Sequence, residues 1–177
     1  MDLEYLILLF PVVFMFHDFE EIIFFKIWLV RNKELLNTRF PKLARRIVPH
    51  MENLSTAAFS MAVAEEFILI SLITYTSIWL NYYYLWFAIF MAFSLHLIGH
   101  LIQWIIFRKY VPSIVTTLMC LPYCIYTIYI FATTSTMGAS HFVLLTVLGL
   151  VLMVVNLMLA HRLALFFERW KDYYQKN

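Results

Sequence analysis

The chain has 177 residues, is 63% hydrophobic and only 14% charged, and has a mean hydropathy of +0.80. A water-soluble domain sits near half apolar and must cover its surface with polar groups, so this composition excludes an ordinary aqueous fold and makes lipid the natural solvent. A net charge of +2 without a basic, aromatic-interleaved surface argues against nucleic acid as a partner, and two cysteines set in an apolar run make no secretory disulfide framework.

A bilayer core of about 30 Å takes roughly 20 mostly apolar residues as a helix. Five stretches qualify: Leu3–Val30, Ser55–Leu80, Tyr82–Phe107, Pro112–Thr133 and His141–Leu163. The acidic N-terminus lacks the positive region of a cleaved signal, so the first run reads as a permanent helix. Residues 31–54 form the one long connection and carry Arg31, Lys33, Arg39, Lys42, Arg45 and Arg46. Within it Phe40, Leu43 and Ile47 fall on one side, with Lys42, Arg45 and Arg46 elsewhere. That pattern predicts either a short amphipathic helix on the membrane surface, ended by Pro49, or a solvated basic loop. Arg108 and Lys109 mark the third connection, and Arg162, Arg169, Lys171 and Lys176 mark the tail, while the other connections carry no Lys or Arg. The alternation predicts an all-α integral membrane protein of the cell membrane. It would be a five-helix transmembrane bundle forming one domain over 1–177, N-terminus outside and C-terminus cytoplasmic.

The first helix contains His17, Glu20 and Glu21 at i, i+3 and i+4, which share one face, while Asp18 points about 100° away. The second contains Glu65 and Glu66. The third contains His96 and His100 on one face, with Gln103 one turn further on. At 1.5 Å per residue from the flanking ends, Glu20, Glu21, Glu65, Glu66, His96 and His100 lie about 12–18 Å into the apolar layer, so three antiparallel helices present them at one level. A charged carboxylate near a helix centre costs about 2.5–3.5 kcal/mol. Lys26 is closer to the inner edge and can snorkel, so no basic residue compensates the acids, and protons, His or a metal must.

Carboxylate-bridged dinuclear sites in four-helix bundles use about four Glu and two His, and imidazole suits zinc and iron alike. The order here is His-x-x-Glu rather than the bundle motif Glu-x-x-His, and no His-Glu-x-x-His is present, which excludes a zincin protease. His96-x-x-x-His100 is similar to one histidine box of membrane desaturases, whose other boxes are missing. His17-Asp18-Phe19-Glu20-Glu21, then Ala64-Glu65-Glu66, then His96 and His100, resemble the HXXEE family of small bacterial multi-pass membrane proteins. The resemblance covers the first three helices. It implies a membrane protein and supplies no reaction.

Ionisable residues inside a membrane mark function by default. The leading expectation is a membrane-embedded metalloenzyme acting on a lipid or another hydrophobic small molecule. Its ligands to a divalent metal (zinc or iron, one ion or two) would come from His17, Glu20, Glu21, Glu65, Glu66, His96 and His100. Glu21 or Glu66 would act as catalytic base. Asp18, Gln103 and Asn156 are candidates for supporting those ligands from behind. Two alternatives stand beside it. A proton-coupled carrier would use the same Glu and His residues, although the chain is short and lacks an inverted repeat; a homodimer would add helices. An accessory membrane subunit would hold a structural metal. His50, His141 and His161 read as solvated or interfacial, Cys120 and Cys124 as small apolar packing beside Pro122, and Gly99 as permitting close helix approach.

Overall fold

The structure, a computed structural model, describes residues 3–134 and 137–176; of Leu43, Arg46, Ile47, His50, Asn53 and Lys176 only the backbone is described. The described residues form six α-helices and no strand: α1 (Leu3–Arg39), α2 (Pro41–Asn53), α3 (Thr56–Trp79), α4 (Tyr84–Phe107), α5 (Ile114–Thr134) and α6 (Ala139–Lys176). Four of them, α3 to α6, are long and apolar enough to cross a membrane. α1 has the length as well, but its acids, and after them its basic residues, interrupt every apolar stretch of that size.

Elementary end signals explain the boundaries. Pro41 opens α2, where a missing N–H costs nothing. Ser55 caps α3 by accepting the Ala58 N–H at 3.1 Å, and its own hydroxyl and N–H donate to Glu168 of α6. α4 stops at Arg108, which takes a left-handed conformation and donates its N–H to the Trp104 carbonyl at 2.8 Å.

Two expectations about the first connection change. α1 runs nine residues beyond Val30 to Arg39, and α2 continues through Pro49 to Asn53. Pro49 does not end the helix because it sits on the exposed face, where water can take the Arg45 carbonyl it leaves without a donor. Beyond it, Lys26 Nζ donates to the carbonyls of Met51, Glu52 and Leu54 at 3.3, 2.6 and 2.5 Å, satisfying the end of α2. Ala44 and Val48 bury against Leu29 and Leu36 of α1, with Trp28 and Phe107 packed around them. The segment is therefore a docked helix rather than a solvated loop; the expected roles of Leu43, Arg46 and Ile47 fall outside the described side chains.

The bundle's core is aromatic. Trp86, Phe87 and Phe90 of α4 meet Phe10 of α1 and Phe131 of α5, all at most 2% exposed. Trp86 stacks on Phe90 with centroids 5.0 Å apart, and Phe10 presents its edge to Trp86 at 5.6 Å. Cys120 and Cys124 are buried in the same cluster. At the other end the basic segments gather. Trp28 Nε1 donates to the Tyr110 carbonyl at 2.7 Å, and the rings of Phe40 and Phe107 lie 5.2 Å apart.

Close helix approach belongs to Gly149 rather than Gly99. A Cβ added at Gly99 would have nothing within 4 Å, whereas one at Gly149 would lie 1.9 Å from the Ala88 carbonyl oxygen. The α4 backbone thus rests directly on α6. Gly149→Ala should force the two helices apart and cost about 1–3 kcal/mol or more, seen as a lower melting temperature by circular dichroism in detergent. Gly99→Ala should melt no lower than the natural chain. Equal melting of the two variants would refute this packing.

Candidate metal centre

His17 and Glu21 are one helical turn apart on α1, and His96 and His100 are one turn apart on α4. The two pairs face each other. Each of the four offers one ligand atom, and these atoms all lie within 4.8 Å of one another. The three imidazole rings have centroids 4.4 Å (His96–His100), 5.1 Å (His17–His100) and 5.4 Å (His17–His96) apart. His96 Nε2 and His100 Nε2 are separated by 2.9 Å, and His100 Nε2 lies 3.0 Å from Glu21 Oε1. Donors around a tetrahedral zinc ion, bound at about 2.0–2.1 Å, are about 3.3 Å from one another. The His96–His100 and His100–Glu21 pairs are already near that spacing.

The donor chemistry fits a cation. His17 is fully buried, yet its Nε2 has no hydrogen-bond partner among the described residues. A buried polar atom left unpaired is costly and calls for a reason. Among the described residues no Lys or Arg pairs with Asp18, Glu21, Glu65 or Glu66. Phe93 closes one side of the cluster, its ring meeting that of His17 edge-on at 5.7 Å.

Other candidate residues are placed differently. Glu20 does not face the imidazoles: its Oε1 accepts the Tyr110 hydroxyl at 2.7 Å, and its Oε2 accepts both the N–H (2.8 Å) and the hydroxyl (2.7 Å) of Thr116. It thereby ties α1 to the first turn of α5. Glu65 turns toward α6, where Asn156 Nδ2 donates to its Oε2 at 3.3 Å. Glu66 lies within electrostatic range of Glu21 and Asp18 but outside the four-residue group. Asp18 is 5% exposed, and its Oδ2 makes no hydrogen bond, to His96 and His100 included. Gln103 is exposed on α4, and Asn156 serves Glu65.

Residues 8–127 match the model of a family described as a protein of unknown function with HXXEE motif. The chain belongs to the HXXEE family. The match spans α1 to most of α5 and so includes all four clustered residues. No curated protein and no solved structure matches the chain. Within the motif itself, the His and the second Glu enter the cluster, while the first Glu is bound to α5.

Sequence reasoning assigned no site role to Thr116 or Tyr110. The available signal was Pro112-Ser113 at the opening of a helix, where unpaired N–H groups attract a carboxylate from a neighbouring element. Tyr110 lies in the connection between α4 and α5, and burial first, then its hydrogen bond to Glu20, push its phenol above the ordinary range. The unfolded chain then gives up this proton first. The stabilisation is complete below the ordinary phenol value of about 10 and is lost as pH rises toward the raised one. Tyr110→Phe should therefore flatten the alkaline decline in melting temperature. An unchanged alkaline slope would exclude this coupling.

Proposed function

We propose that this chain is a metalloprotein of the cell membrane. In this reading His17, Glu21, His96 and His100 hold one divalent ion, zinc or iron, which serves a reaction on a lipid or another hydrophobic molecule. The observation that carries the reading is the convergence of three imidazoles and one carboxylate, with His17 Nε2 lacking a hydrogen-bond partner among the described residues. Imidazole donors suit both metals. When bound, such an ion supplies Lewis acidity and lowers the pKa of a bound water. The chain's own part is to hold the donors in a dry chamber. Glu21 is either the fourth ligand or, with three His ligands and an open position, the group that takes a proton.

Location supports the choice of substrate. α1 joins α3 to α6 as the fifth crossing in this proposal, with the N-terminus outside and the basic ends of α1, α4 and α6 in the cytoplasm. Glu21 precedes Arg31 by about 15 Å of helix, which puts the cluster within the acyl layer. A hydrophobic molecule reaches that depth far more easily than a charged metabolite does.

Elemental analysis of the purified protein should find one divalent ion per chain, the number that four such donors accommodate. Glu21→Gln and His96→Ala should lose it with the helical content unchanged. Glu65→Gln should keep it, because Glu65 faces Asn156. Metal-free protein from metal-replete cells, with proton-dependent uptake in vesicles, would replace this reading with that of a proton-coupled carrier. Two ions per chain would bring Glu66, beside Glu21, into the ligand set.

A further inference from the structure

We infer that Thr116 is the positioning residue for His17. Held by Glu20, its hydroxyl fixes His17 as the Nδ1–H tautomer and leaves the Nε2 lone pair directed into the four-residue cluster. The inference rests on the metal reading for its purpose, though not for its geometry.

The Thr116 hydroxyl has one proton to give and two lone pairs to offer. Four polar atoms surround Thr116 Oγ1: Glu20 Oε2 at 2.7 Å, His17 Nδ1 at 3.3 Å, the Ser113 carbonyl at 3.3 Å and the His17 carbonyl at 3.4 Å. The proton goes to the carboxylate, which is nearest by 0.6 Å and makes the charge-assisted bond. Glu20 is held in place for this by two further donors, the Thr116 N–H and the Tyr110 hydroxyl. With its proton committed, the hydroxyl can only accept from His17. The carbonyl oxygens have no proton to offer, so Nδ1 is the one remaining donor. In a neutral imidazole, a proton on Nδ1 leaves Nε2 as a bare acceptor. Nε2 is the His17 ring atom that has no partner among the described residues.

This is the arrangement a metal-binding histidine needs. The far nitrogen is anchored to a carboxylate, here through one hydroxyl, and the near nitrogen is free to bind. His96 and His100 lack such support, since His100 Nδ1 is unpartnered and their Nε2 atoms contact each other. His17 is thus the pre-set ligand of the three. It also gives the two acids of the motif separate tasks: Glu21 belongs to the cluster, and Glu20 acts on His17 through Thr116 while anchoring α5.

The test pairs Thr116→Val, which keeps the shape and the backbone N–H but removes the hydroxyl, with Thr116→Ser, which restores it. Circular dichroism should show both folded, since Glu20 keeps the Tyr110 hydroxyl and the residue 116 N–H. In metal-free protein carrying ¹⁵N-labelled histidine rings, with the His17 signals assigned by their loss in His17→Gln, the natural chain and Thr116→Ser should carry the His17 proton on Nδ1. Thr116→Val should shift the population toward Nε2–H. Zinc titration should show affinity weakened about 10- to 100-fold in Thr116→Val and recovered in Thr116→Ser. A His17 proton on Nε2 in the natural chain overturns the inference, as does a Thr116→Val variant with unchanged tautomer and unchanged zinc affinity. If the tautomers behave as expected while the natural chain binds no zinc, the positioning role stands and the metal reading falls.

Discussion

A buried carboxylate must be given its donors by the protein, and Glu20 receives three. All three come from the segment that opens α5. The exchange is mutual, because the first turn of a helix has N–H groups with no partner and a field that favours negative charge. Glu20 therefore seats α5 against α1 at the depth of the cluster. Without that seat Thr116 would not meet His17, and the wall beside the imidazoles would be open.

The rest of the chamber follows from how two helices are faced. His17 and Glu21 project from α1 toward His96 and His100 of α4, while Phe10, Trp86 and Phe90 fill the same interface about two turns away. The aromatic cluster sets the separation of α1 and α4, and the polar cluster inherits it. Gly149, pressed against the Ala88 carbonyl, holds α4 from its far side. The ligand-bearing turns are thus fixed by contacts that do not involve the ligands.

Much of this was legible before any coordinates. Counting residues from the basic ends put Glu21, His96 and His100 near one depth, and helical spacing put His17 with Glu21 and His96 with His100 on one face. What the count does not provide is azimuth relative to the neighbours. Glu20 and Glu21 differ by one residue, or about 100°, and a single sequence does not say which of them faces α4 and which faces α5. The same ambiguity separates Glu66, close to Glu21, from Glu65, which faces Asn156. Pro49 misled for a related reason: a proline ends a helix only where the carbonyl it strands is denied another donor, and exposure is a tertiary property. Gly99 drew attention because it lies between two histidines, whereas the close contact is made by a glycine in an uninterrupted apolar run.

α1 is an unbroken rod of 37 residues, about 55 Å long, against a hydrocarbon layer of about 30 Å. Its far end is gripped by α2 through Leu29, Leu36 and the Lys26 ammonium. A continuous helix of this kind has no joint between the turns held by α2 and the turn that bears His17 and Glu21. Rotation of the end held by α2 would therefore turn His17 and Glu21 with it.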